Sequence, residues 1–387
     1  MRVGLVIDDL DPRRGGMSQW CWQYAAEVIR RGYELHVISE GFGDGSLSPQ
    51  VVRHKLPRTK SRVAFAEAAG EISRNLALDI VHDMGLGWHF DVFQPHGGSY
   101  AAWLARRLDF YPLWVRYLKR PIDAMMPRRR DFDRHWRRQY VAGRESDTTF
   151  IALSEMVADD FVKLHEIRSK QIKVVYNGVD CRRFSPDHRA RYRDAVRRHI
   201  GVTDETLVLL LAAHNFRLKG VPQLLRVASR LVANRRPVHV VIAGGKHLEQ
   251  WKLSAARVGL ANRATFLGTI IDLVPYYAAA DAYVHPTFYD PCSLVLLEAA
   301  ASGLPIVTTR RCNGATELFR EGAEILTVND PADIDGLYER VDALFDARMR
   351  RRLSSGARTV ALRHSFERNV SEILRLYDGC VRRRVAA

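Results

Sequence analysis

Residues 281–317 constrain the fold of this chain more than any other stretch, because they predict a complete strand–helix–strand unit. A short apolar strand at Ala282–His285 is followed by a loop, an apolar helix at Leu294–Ala301 and a second apolar strand at 305–309. After a further loop, we expect another helix from Ala315. Parallel strands joined by a helix in this way form a right-handed βαβ unit. The loop that enters the helix is where such sheets bind ligands, and the free N–H groups of the helix suit phosphate.

Two carboxylates bracket the helix of this unit. Asp290 comes just before it and Glu298 lies inside it, eight residues further on. Eight helical positions span about 12 Å, which is too far for an acid/base pair acting on one bond but suits the two ends of a nucleotide sugar. Both residues also have a structural interpretation, Asp290 as a plain N-cap and Glu298 as a buried carboxylate with a partner.

A second strand-to-helix loop carries two cations. Arg217 and Lys219 follow the apolar strand Leu207–Ala213 and precede Gly220 and the helix Val221–Ala233. Cations in such a place suit a diphosphate, although most loop cations are only solvated.

Glycines end several of the predicted strands. Gly244 follows the strand 238–243 and would let a nucleotide approach the backbone, or would simply end the strand. Gly15 and Gly16 precede the first helix and either admit a ligand or only form a turn. The first loop does not read G-x-G-x-x-G, so a dinucleotide cofactor is not indicated.

His96 follows a short apolar strand and precedes two glycines. A side chain at this place would project into a cleft between domains. A lone histidine is more often structural, but the strand end and the glycines favour a functional role.

Length and composition indicate two α/β domains in an ordinary globular protein of 387 residues. No apolar run approaches 18 residues, and the start lacks the features of a signal peptide, so we expect a cytoplasmic protein. The five scattered cysteines include no C-x-x-C and indicate free thiols. No Asp-x-Asp pair follows a strand in a metal-binding context, so we expect no metal.

The net charge of +15 is the compositional anomaly, and it is concentrated in residues 106–138, which begin with Arg106 and end with Arg138. This segment holds 11 Arg and Lys against 4 Asp, interleaved with Trp, Tyr and Met. Such a composition is typical of a segment that meets anionic lipid on the inner face of a membrane. The alternatives are an arginine-rich helix pair packed on its own domain and, less favoured, a nucleic-acid surface without any known reader module.

The stretch HPTFYDPCSLVLLEAAASGLPIVTT closely resembles the C-terminal signature of retaining glycosyltransferases of family 4, which include the lipopolysaccharide core glucosyltransferases. The usual E-x7-E of that family appears here as D-x7-E, with an Asp one methylene shorter at the sugar-facing position. The passage Asn177-Gly178-Val179-Asp180 resembles the crossover between the two domains of the family.

The resemblance implies the GT-B fold, two Rossmann-like α/β domains with a cleft between them. The expected limits are an acceptor-binding domain at 1–180, a donor-binding domain at 181–365, and a C-terminal helix at 366–387 that returns to the first domain. The donor would be a nucleoside diphosphate hexose, with UDP-glucose favoured, and the acceptor a hydroxyl of a glycan or glycolipid such as lipopolysaccharide core.

The resemblance also implies the roles of the site residues. Those expected to be catalytic are His96, Arg217, Lys219 and Asp290. Those expected to bind the donor are Gly15, Gly16, Gly244, Gly268, Thr269, Ser293, Leu294 and Glu298.

The expected reaction is metal-independent and retains anomeric configuration, with the departing phosphate taking the acceptor proton on the front face of the sugar. A double displacement would need a carboxylate on the opposite face, and no convincing candidate is present. Two other functions fit the same architecture: a sugar-nucleotide epimerase, and a non-catalytic basic scaffold with a relic donor site.

Overall fold

The computed structural model describes residues 1–43, 47–109, 111 and 113–386. The chain divides into two compact units: unit 1 is Met1–Tyr176 with Glu367–Ala387, and unit 2 is Asn177–Phe366. Each unit is built on a parallel sheet with helices in the connections, which confirms the predicted α/β class.

Unit 1 contains a seven-stranded sheet in the order β5-β3-β1-β6-β7-β8-β9 and a small pair, β2 with β4. Its strands are β1 (Arg2–Val6), β2 (Asp9–Leu10), β3 (Glu34–Ser39), β4 (Gly41–Phe42), β5 (Val52–Lys55), β6 (Ile80–Asp83), β7 (Val92–Phe93), β8 (Thr149–Ala152) and β9 (Ile172–Val174). Its helices are α1 (Gly16–Arg30), α2 (Arg62–Asn75), α3 (Tyr100–Arg106), α4 (Leu113–Met125), α5 (Pro127–Glu145), α6 (Glu155–His165) and nearly all of α14 (Phe366–Ala386). Short 3-10 helices lie at Pro12–Arg14 and Ser169–Gln171.

Unit 2 contains a six-stranded sheet in the order β12-β11-β10-β13-β14-β15. Its strands are β10 (Leu207–Ala213), β11 (Val238–Gly244), β12 (Ala264–Gly268), β13 (Ala282–His285), β14 (Ile306–Thr309) and β15 (Leu326–Val328). Its helices are α7 (Arg189–His199), α8 (Val221–Ala233), α9 (Leu248–Arg257), α10 (Val274–Ala279), α11 (Leu294–Ala301), α12 (Ile334–Asp342) and α13 (Ala347–Arg363). Its 3-10 helices are Pro186–His188, Gly314–Leu318 and Ala343–Phe345.

The central strands of both sheets are apolar and buried along nearly their whole length, as is usual when helices cover both faces of a parallel sheet. Strands β10 and β13 and helices α8 and α11 have the bounds that the sequence predicted. One element differs. We expected a helix from Ala315, but the chain forms only the 3-10 turn Gly314–Leu318, capped by the Asn313 side chain.

Gly220 joins two loops of unit 2 at close range. Its φ of 78° is in the left-handed region, and a Cβ placed there would lie 2.0 Å from the carbonyl oxygen of Pro286. The amide of Phe288 also donates to the carbonyl of Leu218 at 2.8 Å. The loops that follow β10 and β13 are therefore held against each other through their backbones.

We predict that Gly220→Ala destabilises the protein well beyond the strain of its left-handed backbone, because the new methyl group overlaps the Pro286 carbonyl. Gly259→Ala is the matched control, since Gly259 has a φ of 80° and no atom within 4 Å of its Cβ position. The control should lose about 1–2 kcal/mol and Gly220→Ala at least about 2 kcal/mol more. Urea unfolding measures both, and equal losses would contradict the close approach.

Candidate active site

The strand order of unit 2 reverses between β10 and β13. From β10 the chain proceeds outward through β11 and β12, and it then returns to place β13 on the other side of β10. Loops that leave the carboxyl ends of two such strands diverge and open a crevice, which is the usual ligand site of open parallel sheets. The loop 214–220 and the loop 286–293 border this crevice.

Lys219 and Asp290 meet across the crevice. The Lys219 Nζ atom donates to Asp290 Oδ2 at 2.7 Å and to the carbonyl of Tyr289 at 3.0 Å. The side chains are only 20% and 11% exposed, so the pair is weakly screened by solvent. The structure thus brings together two residues that the sequence assigned to one site from separate motifs.

The backbone of Asp290 is fixed on both sides by the loop that follows β14. Its amide donates to the carbonyl of Cys312 at 2.7 Å, and its carbonyl accepts from the amide of Gly314 at 2.9 Å. The side-chain amide of Asn177 donates to the carbonyl of Cys292 at 2.8 Å and so fixes the same loop at a further point. These hydrogen bonds fix the backbone from which the Asp290 carboxylate extends.

His285, at the end of β13, is a site residue that sequence reasoning missed. It is fully buried, and its Nε2 lies 3.9 Å from Asp290 Oδ2. Burial lowers the pKa of His285 to about 3, with Asp290 acting to raise it and Lys219 to lower it, so the ring is neutral at pH 7. The position of a histidine at a strand end, just before Pro286, was the available signal.

Arg217 and the start of α11 offer further sites for negative charge. The Arg217 side chain is exposed and makes no ion pair within the described part of the chain. Ser293 caps α11 by accepting from the Leu296 amide, whereas the Leu294 and Val295 amides precede the first intrahelical hydrogen bonds. Such amides carry partial positive charge and suit a phosphate group.

Glu298 lies inside α11, on the side that faces α10. The hydroxyl of Tyr277 lies 3.0 Å from Glu298 Oε2 and 3.1 Å from the carbonyl of Val295. Burial raises the pKa of Glu298 to about 7, while Tyr277 and Arg183 act in the opposite direction. The carboxyl group therefore changes its charge near neutral pH. Tyr277 was not expected as its partner.

Gly244, Gly268 and Thr269 stand at the ends of β11 and β12, on the same edge of the sheet. A Cβ on Gly244, whose φ is 90°, would lie 2.2 Å from the carbonyl oxygen of Ala213, so packing between strands alone requires a glycine there. Gly268 is buried and Thr269 is exposed. The three residues are positioned at the carboxyl edge, where β10 and β13 also end.

In unit 1, Gly15 and Gly16 form the start of α1 after β1. Gly15 has a φ of 134°, and no side chain caps the helix at this position. The strand order of unit 1 reverses between β1 and β6. These glycines therefore also lie at a topological switch point, the place where the strand order reverses.

His96 follows β7 in unit 1 and is partly buried. Its ring centroid lies 4.7 Å from that of Trp20 on α1, and its Nε2 is buried without a hydrogen-bond partner. Burial lowers the pKa of His96 to about 3, so the ring acts as a neutral hydrogen-bonding group.

Two family models match the chain in succession. Residues 14–183 match Glycosyltransferase Family 4, and residues 193–360 match Glycosyl transferases group 1. The two matches together span most of the sequence, the first largely in unit 1 and the second within unit 2. The chain belongs to glycosyltransferase family 4.

Similar proteins agree with this assignment. The D-inositol 3-phosphate glycosyltransferase of Geodermatophilus obscurus is 29% identical over 96% of this chain and 86% of its own length. That of Saccharomonospora viridis is 29% identical over 94% of this chain and 89% of its own length.

Solved structures establish the GT-B fold. WaaG, a glycosyltransferase involved in lipopolysaccharide biosynthesis, superposes with a TM-score of 0.82 at 19% identity, over 97% of this chain and 100% of WaaG. Anabaena HepE in complex with UDP and glucose gives a TM-score of 0.70 at 18% identity, over 97% of this chain and 98% of that one. The glycosyltransferase therefore has the fold that the sequence predicted.

No group of three or more His, Cys, Asp or Glu side chains in the described part is placed to hold a metal ion. Within the same residues, no helix combines the length and apolar character needed to cross a membrane.

We predict that the stability of Glu298→Gln, relative to the parent protein, increases as pH rises from 5 to 8. A pKa raised in the folded state means that stability from this group is complete below about pH 4.5 and is lost as pH rises through 7. Glutamine does not ionise, so the variant should gain on the order of 2 kcal/mol relative to the parent at pH 8. Thermal unfolding at several pH values measures this. The exposed Glu339→Gln is the control, and parallel curves for all three proteins would contradict the prediction.

Proposed function

We propose that this glycosyltransferase transfers a hexose from a UDP-hexose, with UDP-glucose favoured, to a hydroxyl of a glycan or glycolipid acceptor. The observation that carries the proposal is the meeting of Lys219 with Asp290 at the switch point of unit 2. A cation for the diphosphate and a carboxylate for the sugar hydroxyls thereby stand side by side, as the two adjoining parts of a nucleotide sugar require. Unit 2 would bind the donor and unit 1 the acceptor.

The diphosphate would lie between Arg217, Lys219 and the first amides of α11. Departure of the nucleotide concentrates negative charge on the diphosphate, so groups that stabilise this charge lower the barrier. Arg217 is available for this without breaking an ion pair, and Lys219 can hold a phosphate oxygen and Asp290 together because an ammonium group has three donors.

The two carboxylates of the D-x7-E motif would bind the two ends of the donor. Asp290 would accept hydrogen bonds from sugar hydroxyls near O3 or O4, with its position fixed by the Cys312 and Gly314 backbone. Glu298 would accept from the ribose hydroxyls, for which the ionised form is the better acceptor. Gly244, Gly268 and Thr269 would approach the nucleotide through their backbones.

In unit 1, His96 would contact the transferred sugar or the departing phosphate as a neutral ring, and Gly15 and Gly16 would face the donor phosphate and acceptor.

The proposed transfer retains configuration on the front face of the sugar. The bond from the anomeric carbon to the diphosphate oxygen breaks, and the acceptor oxygen bonds to the same face of that carbon. The acceptor proton passes to the departing diphosphate oxygen, so no protein base is needed. The chemistry proposed for the chain requires neither a metal nor a cofactor.

The relatives support the reaction class more strongly than the acceptor. The curated relatives are named for D-inositol 3-phosphate, whereas WaaG acts in lipopolysaccharide biosynthesis. HepE has been captured with UDP and glucose, which favours a UDP-hexose as donor. The proposal therefore specifies the donor and only the hydroxyl class of the acceptor.

The decisive experiment is thermal shift and donor hydrolysis with UDP-, GDP- and ADP-sugars in the presence of EDTA. We expect one UDP-hexose to stabilise the protein and to release UDP slowly. Arg217→Ala and Lys219→Ala should each reduce turnover at least about 100-fold, because each removes charge stabilisation from the leaving group.

Arg257→Ala, which removes an exposed cation elsewhere in unit 2, should leave turnover unchanged. Near-normal turnover in both site variants would refute the assignment of the diphosphate site. Tight donor binding without release or transfer would favour a non-catalytic scaffold, and interconversion of free sugar nucleotides an epimerase.

We further propose that residues 106–138 dock on an anionic membrane surface. Phe110 and Pro112 of this segment lie outside the described residues. On α4, Trp114, Tyr117 and Leu118 share one face and are 68%, 77% and 60% exposed. Exposed aromatic and apolar side chains beside cations suit the interface of an anionic bilayer.

The neighbouring helix supplies the cations. Arg130, Arg134 and Arg137 are exposed at i, i+4 and i+7 of α5 and so share one face. Nothing in this arrangement resembles a nucleic-acid reader, and a glycolipid acceptor would itself reside at such a surface.

We predict that the double variant Trp114→Ser, Tyr117→Ser binds phosphatidylglycerol-containing vesicles at least about tenfold more weakly than the parent, because it loses two aromatic anchors. Leu253→Ser, Ile271→Ser is the matched control, since these side chains are 59% and 79% exposed in unit 2. Co-sedimentation measures binding. Equal binding by both variants, or equal binding to neutral vesicles, would refute the membrane surface.

A further inference from the structure

Four buried polar atoms without hydrogen-bond partners belong to three neighbouring residues of unit 1. They are Nε2 of His82, both amide atoms of Gln94, and Nε2 of His96. His82 and Gln94 are fully buried. Buried polar groups are nearly always paired, and complementary donors and acceptors on nearby side chains can pair with one another after small side-chain rotations.

The topology places His82 and Gln94 on the same face of the sheet. In the pairing of β6 with β7, His82 lies opposite Val92, and the Gln94 amide continues the ladder by donating to the carbonyl of Asp83 at 2.8 Å. Side chains two residues apart in extended chain share a face, so Gln94 lies on the same side of the sheet as His82.

Helix α1 covers both histidines with residues one turn apart. Tyr24 meets His82 edge-on with ring centroids 6.0 Å apart, and Trp20 lies 4.7 Å from His96. Trp20 and Tyr24 stack on each other at 4.9 Å. Both imidazoles therefore pack against α1, through aromatic side chains that stack on each other.

Both rings are neutral, and the far side of His82 is already engaged. Burial lowers the pKa of His82 and of His96 to about 3, so each ring carries a single N–H at pH 7. The Nδ1 atom of His82 lies 2.6 Å from the hydroxyl of Tyr377, which in turn contacts the hydroxyl of Tyr24. Each ring then has Nε2 left to pair.

We propose that Gln94 is a positioning residue that joins Nε2 of His82 to Nε2 of His96 and thereby holds the two rings in opposite tautomers. A primary amide presents an oxygen that only accepts and a nitrogen that only donates. One ring must therefore offer Nε2–H to the Gln94 oxygen, while the other accepts at Nε2 from the Gln94 amide nitrogen. The orientation of the His96 ring and the protonation of its Nδ1 are set by this link.

The inference rests on the proposed function for its consequence, because His96 is proposed to face the sugar or the departing phosphate. A neutral histidine can present either a donor or an acceptor there, and only one of them matches a given ligand atom. Fixing the tautomer before the donor arrives removes that ambiguity, as the partners of catalytic and metal-bound histidines do elsewhere.

The test is nuclear magnetic resonance of the full chain labelled with ¹⁵N-histidine, in which long-range correlations report the tautomer of each ring. His82→Gln and His96→Gln assign the two signals. We expect one ring as the Nδ1–H tautomer and the other as the Nε2–H tautomer in the parent protein. Identical tautomers in the two rings would overturn the proposal, whatever the enzyme's activity.

Gln94→Met tests the link directly, because it keeps the side-chain volume and removes both polar atoms. We expect the His96 signal to move to the average of exchanging tautomers. Gln139→Met is the matched control, since Gln139 is also buried in unit 1 and bonds elsewhere, to the carbonyl of Gly87. An unchanged His96 tautomer in Gln94→Met would overturn the proposal, and if this variant does not fold the parent spectrum still decides it.

Kinetics then separate this inference from the proposed function. Gln94→Met should reduce kcat about tenfold with the donor KM little changed, because a misplaced group acts on the transition state more than on binding. Absence of any transfer by the parent protein would refute the proposed function and leave the tautomer measurement intact.

Discussion

The contact between Lys219 and Asp290 depends on the order of strands in one parallel sheet. The two residues are 71 positions apart in the chain, and they meet because β10 and β13 are neighbours whose carboxyl ends share an edge. The same edge receives Arg217, the start of α11 and the glycines that end β11 and β12. A change that separated these strands would scatter the whole candidate donor site.

Burial decides the charges of the groups around this contact. Lys219 and Asp290 form an ion pair at low exposure, in which each side chain offsets the charge of the other. His285, beside them, is neutral because a fully buried imidazolium is costly. Glu298 loses part of its ionisation at neutral pH for the same reason, despite the hydroxyl of Tyr277. Residues of similar polarity thus take different protonation states within one unit.

The elements that the sequence predicted well have strong local signals. The bounds of β10, β13, α8 and α11 follow from continuous apolar runs that end at glycine, proline or a capping serine. The predicted helix from Ala315 was wrong, because the side chain of Asn313 caps only a short 3-10 turn whose neighbouring backbone is bonded to Asp290. That competing contact comes from a distant loop and leaves no local pattern.

The sequence by itself determined the fold class, the family and the identity of the D-x7-E carboxylates, because these depend on residue type and on spacing along the chain. Only the tertiary structure decided that Lys219 pairs with Asp290, that His285 lies next to Asp290, and that His82, Gln94 and His96 have buried polar atoms without a hydrogen-bond partner. Burial and proximity belong to the packed protein, since both depend on residues that are far apart in sequence. The chemistry of an imidazole or a carboxylate is set by those surroundings, and a sequence names the group without fixing its charge or its partner.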